Sequence, residues 1–187
     1  RHDQGGQLEL LPARWGLIPT WWKDSTPPRF SFNARSEEAA GKPLWRQALR
    51  NARCLMPALG WYEWNERETL HNAAGRQIHQ PYFIHCPTDP VIAIAGLWSL
   101  WINPNDEPVL SCALLTRSVG PSIEHIHHRM PVVLAPESFE EWLSTSTPSE
   151  ALQELIHHAR EDFTGYRVSL RVNDTRNDSV ELIDDAD

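Results

Sequence analysis

Proline is the feature that most constrains what this chain can fold into. The 187 residues include 15 Pro and 9 Gly. Each proline fixes φ, removes a backbone donor and pushes the residue before it toward extended backbone. Spread this densely, prolines rule out long helices and leave a chain of strands, turns and short helices. The second outlier is tryptophan, with nine copies. A Trp either fills a core or offers a stacking surface, and composition does not say which.

Apolar runs place the strands. Residues 53–64, 81–86, 91–100, 109–116, 131–134 and 166–172 read as strands, and 8–18 as a strand interrupted by proline. Residues 65–80 are polar, carry Asn72 and Gly75, and read as a hairpin loop, with a turn at 103–106. Residues 37–50 read as a helix with acids first and bases last, broken in its first half by Gly41 and Pro43. Residues 137–143 and 149–160 read as helices, the latter with an apolar stripe of Leu152, Leu155 and Ile156. Runs of strands that do not alternate one-to-one with helices predict an α+β fold with a mostly antiparallel core. The length suits a single domain, 1–187, able to bury its own core.

The formal charge is −8, which excludes holding nucleic acid by bulk positive charge. The charge is unevenly spread. Residues 1–60 hold nine Lys+Arg against five acids, and residues 137–187 hold four Arg against thirteen acids. A polyanion is therefore expected at the N-terminal third, away from the acidic C-terminal helices and tail. Cys54, Cys86 and Cys112 are widely spaced with no CxxC, which argues against a disulfide framework or a zinc site and for buried reduced thiols. The longest apolar run, Val91 to Trp98, is too short to span a membrane. No signal peptide is visible, so the expected location is cytoplasmic.

Four constellations carry possible chemistry. Trp21-Trp22-Lys23 lies in a Pro-rich loop, where neighbouring side chains point apart. Either one Trp is exposed to stack on bases beside a phosphate-binding Lys, or both pack on a sheet. Asn33 and Arg35 offer a donor–acceptor amide and a phosphate-matching fork; the alternative is a helix N-cap at Asn33. In Gly60-Trp61-Tyr62-Glu63-Trp64 a carboxylate sits among aromatics on a strand. Desolvation would raise its pKa and make Glu63 a general acid/base; the alternative is an outward-facing strand Glu. In Glu124-His125-Ile126-His127-His128-Arg129 the three His lack a carboxylate or thiolate at metal-ligand spacing. One His moving protons with Arg129 on a phosphate fits better, against a plain surface loop.

In this order, these segments resemble the SRAP family (SOS response-associated peptidase), which includes proteins that crosslink to abasic sites in single-stranded DNA. The resembling segments are Arg14-Trp15-Gly16-Leu17-Ile18-Pro19 with Trp21-Trp22, Asn33-Ala34-Arg35-Ser36-Glu37, and Arg53-Cys54-Leu55 through Gly60-Trp61-Tyr62-Glu63-Trp64. Further on come Ala95-Gly96-Leu97-Trp98, Leu115-Thr116, Ile126 through Leu134, Val168-Ser169 and Val172-Asn173.

The resemblance implies an SRAP-like, barrel-like β core with a few flanking helices. It implies a covalent thiazolidine formed when the amine and thiol of an N-terminal Cys attack the aldehyde of an abasic site. Residue by residue, it implies that Asn33 holds the nucleophile and sugar, Glu63 is the acid/base near the new amine, and His127 moves protons at the sugar hydroxyl. Trp21, Trp22, Arg35, Thr116 and Arg129 become DNA contacts. No cofactor and no metal is implied, and the partner is single-stranded DNA containing abasic sites. A monomer is expected, bacterial or phage-related and nucleoid-associated when bound. The sequence departs from the family pattern twice. It starts at Arg1, in the middle of that pattern, so the family's Cys and the strand after it are not in this sequence; a natural protein with them would be active, and one without them an inactive relative. His128 also stands where the family often has Asp. The alternatives are a peptidase or autoprotease using the same Glu63 and His127, and a non-covalent single-strand binder.

Overall fold

The computed structural model describes residues 1, 6–72 and 74–186. In chain order the strands are β1 (Arg14–Trp15), β2 (Asn33–Arg35), β3 (Arg53–Ala58), β4 (Trp61–His71), β5 (Gln77–His85), β6 (Ile92–Ile102), β7 (Pro108–Ser118), β8 (Arg129–Pro131), β9 (Val133–Leu134) and β10 (Thr164–Arg167). The helices are α1 (Ser36–Ala39), α2 (Pro43–Asn51), α3 (Phe139–Leu143) and α4 (Ser149–His157). No described helix exceeds nine residues, as the prolines require. Pro43 opens α2, where its missing N–H has no intrahelical partner to lose, and the chain breaks at Gly41-Lys42 between α1 and α2.

The chain divides into two compact units. The first comprises Arg1–Pro57, Ala93–Arg117 and Pro131–Arg160; the second comprises Ala58–Ile92, Ser118–Met130 and Glu161–Asp187. A seven-stranded sheet follows the order β1-β7-β6-β3, with β2 and β8 also on β7 and β9 on β6. β6 and β7 pair antiparallel through a turn at 103–106, while β1 and β2 pair parallel to β7. The second unit is built on an antiparallel sheet in the order β10-β5-β4. The fold is α+β and mostly antiparallel, as expected. Neither sheet closes on itself, so the barrel-like character is loose.

In the first unit the core gathers Leu17, Ala34, Trp45, Leu97, Leu115, Val132, Leu134, Trp142 and Leu152. A buried cation lies within it. Arg53 is 4% exposed and donates to the carbonyls of Leu49 at 2.5 Å, Arg50 at 2.6 Å and Trp142 at 2.6 Å, and also to Ser144. Burial holds its guanidinium below the usual arginine range. Four carbonyl dipoles take the place of a carboxylate, satisfying the donors without a second desolvated charge.

Several elements differ from the sequence reading for local reasons. The strand expected over 8–18 shrinks to Arg14–Trp15, because Gly16 takes a φ of +119° and turns the chain there. The expected loop 65–80 is mostly strand: β4 and β5 continue to His71 and from Gln77 around a tight turn at 72–76, pinned by Asn72 Oδ1 accepting from the N–H groups of Ala74 and Arg76. The expected strand 166–172 ends at Arg167, and Leu170–Asn173 forms a 3-10 turn capped by Ser169.

Candidate active site and nucleic-acid interface

The second unit carries the candidate acid–base residues Glu63 and His127. β4 pairs with β5 so that Trp61 faces Ile84 and Glu63 faces Tyr82. Gly60 permits this approach: a Cβ there would lie 2.3 Å from the Ile84 carbonyl oxygen and 2.6 Å from the Phe83 ring. Trp61, Glu63 and Asn65 alternate onto one face of the strand. Trp61 stacks edge-on against Phe163 at 5.0 Å. On the other face, Tyr62 meets Phe83 at 5.4 Å, and the Trp64 indole donates to Asn173 Oδ1 at 2.7 Å. The Glu63 side chain keeps 21% of its exposure, and burial pushes its carboxyl up to about 7.

His127 comes to Glu63 on the segment before β8. Its Nδ1 lies 3.3 Å from Glu63 Oε2, 3.1 Å from the Arg129 carbonyl oxygen and 3.2 Å from the Arg129 N–H. Residues about sixty apart in sequence thus share a proton position: the protonated carboxyl can donate to Nδ1, or a protonated Nδ1 can donate to the carboxylate. Because one partner titrates near neutrality, the pair can take up or release a proton there. His128 is exposed and its ring lies 4.4 Å from that of His127. Arg129 is half-buried and brackets the imidazole with its backbone.

The His127 segment is anchored from both sides. Pro121–Ile123 forms a 3-10 turn, and Ile123 and Ile126 are buried at 0% and 3% exposure. Ile126 fits against Gly165, where a Cβ would lie 2.8 Å from Ile126 Cδ1. Asn65, 3% exposed, donates to the His125 carbonyl at 3.2 Å. A register shift between Asn65 and Thr69 forms a bulge in β4. Asn65 Oδ1 accepts from the Arg67 N–H at 3.0 Å, and Glu68 accepts from Asn65, from the Tyr82 hydroxyl at 2.6 Å and from Arg167 at 3.0 Å. These bonds hold Glu68 below the usual carboxylate range, Tyr82 contributing most. The sequence analysis missed Asn65; its only signal was an amide two residues beyond Glu63.

The first unit carries the candidate interface. Asn33 and Arg35 are exposed on β2 on either side of buried Ala34, and Arg35 pairs in register with half-buried Thr116 of β7. Asn33 lies in a strand, so the capping alternative is excluded; the residue preceding α1 is Arg35. Glu38 is held low chiefly by Lys42, and Arg35 sits 3.8 Å from it. Trp21 is 46% exposed and Trp22 half-buried, with rings 5.8 Å apart in a turn closed by Trp22 N–H on the Pro19 carbonyl. One of the two tryptophans is therefore exposed, as the loop reading expects. Trp15 and Phe32, 57% and 42% exposed, form an edge-on pair at 5.8 Å immediately before Asn33. This aromatic pair was also missed, although both residues lie in the conspicuous segments.

Among the described residues no group of three His, Cys, Asp or Glu is placed to hold a metal ion. No described helix is long and apolar enough to cross a membrane. Cys54, Cys86 and Cys112 are buried free thiols, and burial pushes Cys54 up to about 12.

The second unit thus holds a carboxylic acid at about 7 within 3.3 Å of an imidazole, a pair of the class that can take and give a proton, and the first unit separately exposes arginine and aromatic side chains. The comparisons place the chain in a family. The family model for SOS response associated peptidase (SRAP) matches residues 1–175, and the chain belongs to this family. It is 35% identical over 184 residues to the abasic site processing protein YoqW of Bacillus subtilis, covering 97% of this chain and 79% of YoqW. It is 31% identical over 199 residues to the abasic site processing protein HMCES of Gallus gallus, covering 93% of this chain and 56% of that protein. Among solved structures, a protein from Bacteroides thetaiotaomicron superposes with a TM-score of 0.77 at 25% identity, covering 92% of this chain and 75% of that one.

Proposed function

We propose that this chain binds single-stranded DNA and processes abasic sites by forming a covalent thiazolidine with the opened sugar. The observation that carries the reading is the 3.3 Å contact between His127 Nδ1 and Glu63 Oε2, with Glu63 at about 7. Names of relatives as abasic site processing proteins support it.

The chemistry divides into steps with defined protons. The sugar C1′–O4′ bond breaks; O4′ takes a proton from His127 and the C1′ hydroxyl returns its proton to His127, leaving an aldehyde. The amine of the family's N-terminal Cys adds to C1′. Glu63 carries two protons in turn from that nitrogen to the C1′ oxygen, which leaves as water and gives an imine. The thiol sulfur then adds to the imine carbon, its proton passes to nitrogen, and the five-membered ring closes. Asn33 holds the sugar and nucleophile. Arg35 and Arg129 meet phosphates, Thr116 lies along the backbone, and Trp21 and Trp22 stack on bases, joined by Trp15 and Phe32.

The test uses the protein expressed from its complete gene and a labelled single strand bearing one abasic site, resolved on a denaturing gel. A shifted covalent band is expected. Its rate of appearance should fall about 100-fold or more in Glu63→Gln and in His127→Ala, the size of a lost acid–base group. No band from the unmodified protein refutes the reading.

A further inference from the structure

We propose that a cavity of about 260 Å3 in the first unit is a second anion site that takes a backbone phosphate of the bound strand outside the abasic nucleotide. This inference rests on the function proposed above and extends it to the path of the DNA.

The cavity lies between α2 and the start of α4. Arg46 and Arg50 line it, one helical turn apart on α2 and both exposed. Ser36, Thr145, Ser149 and Gln153 complete its polar wall. Asn51 and Thr147 also line it, and the Thr147 hydroxyl donates to the Glu141 carbonyl. The side chains of Arg46, Arg50, Ser36, Thr145, Ser149 and Gln153 make no hydrogen bond or ion pair with any described residue. Six side chains with unspent donors converge on one concavity, and no acid lines it. Glu154 of α4, the nearest acid in sequence to Gln153, turns to His158 at 3.5 Å.

The chemistry of the wall selects the ligand. Two guanidiniums present planar donor forks that match phosphate oxygens, and hydroxyl and amide donors can fill the remaining lone pairs. Leu49, Leu152 and Ile156 floor the cavity, and an apolar floor strengthens the charge interaction above it. The volume of about 260 Å3 has room for a phosphoryl group with its surrounding water.

The position selects the source. Ser36 directly follows Arg35, the phosphate contact proposed on β2, so the wall of the cavity begins one residue from that contact. The 1–60 segment holding Arg35, Arg46 and Arg50 is the basic part of an acidic chain. A strand whose backbone passes Arg35 reaches the cavity with its next phosphates.

The test is the salt dependence of binding. Full-length protein and an Arg46→Ala/Arg50→Ala variant are titrated against a fluorescein-labelled 20-nucleotide single strand over 50–300 mM KCl. Each lost phosphate contact on a single strand lowers the slope of log K against log salt by about 0.7. The variant should therefore bind more weakly at 50 mM and show a slope shallower by about 1.4. Its crosslinking rate at saturating strand should be unchanged, since Glu63 and His127 are intact. Arg46→Lys/Arg50→Lys should keep most of the slope. Neither arginine side chain has a hydrogen-bond or ion-pair partner among the described residues, so the variant's melting temperature should match that of the parent.

A variant slope equal to the parent's overturns the proposal while leaving the proposed function standing. A second arm adds inorganic phosphate at 10 mM. If it raises the parent's melting temperature and not the variant's while the DNA slopes agree, the site takes free phosphate, and the strand contact is overturned. If the parent binds no DNA at all, the proposed function fails and this inference fails with it.

Discussion

Glu63→Gln should make the protein more stable at alkaline pH and no more stable in acid. The Glu63 carboxyl rises from 4.5 to about 7 because burial disfavours its charge. Below the ordinary value both folded and unfolded forms carry the proton, and Glu63 costs nothing. As pH rises from 4.5 toward 7, the unfolded chain releases the proton and the native state keeps it, so stability falls; above about 7 the loss is complete. The separation of about 2.5 pH units is worth roughly 3 kcal/mol at 1.36 kcal/mol per unit. Gln is close in shape and neutral at every pH, and its amide can still donate to His127 Nδ1. Urea unfolding followed by tryptophan fluorescence at pH 4.5, 6 and 8 reads the effect. The stability difference, variant minus parent, should be near zero at pH 4.5 and grow to as much as about 3 kcal/mol at pH 8. The crosslinking rate should fall in the same variant, a trade expected where a site holds a destabilised group. A difference that does not change with pH would show that Glu63 is not desolvated and would remove the physical basis of its acid–base role.

Other substitutions test the scaffold. Arg53→Met keeps an apolar stem but strands the buried carbonyls of Leu49 and Trp142 and the partly buried ones of Arg50 and Ser144; a loss of about 3–5 kcal/mol is expected, read as a lower thermal midpoint. Asn65→Ala releases the His125 carbonyl; the single-turnover crosslinking rate should fall roughly ten- to hundredfold while strand affinity holds, since the damage is misplacement of His127. Cys54, pushed up to about 12, carries roughly one part in 10,000 of thiolate at pH 8 by that value. Iodoacetamide mapped by mass spectrometry should leave it unmodified in the native protein and alkylate it after guanidinium unfolding.

Proline geometry and apolar runs in the sequence were enough to determine that helices would be short and that strands would dominate. Side-chain chemistry offered Glu63, one His of the 125–128 cluster and the Asn33–Arg35 pair as candidates against plainer alternatives, and the resemblance to the SRAP family singled out Glu63, His127 and Asn33. Tertiary structure decided what depends on distant neighbours. The nine tryptophans were equivalent in composition, yet Trp45, Trp101 and Trp142 are buried while Trp15 and Trp21 stand exposed. That division follows from which side of a sheet or helix each occupies. Residues 65–80 read as a polar loop because β4 and β5 pair with each other through backbone bonds, which polarity does not reveal. Above all, Glu63 acquires its raised pKa from burial, and His127 reaches it through a loop held by Asn65, Ile123 and Ile126. A carboxylate's neighbours in space, rather than in sequence, set its proton affinity. The chain could therefore name the acid and the base, but only the folded molecule could bring them to 3.3 Å.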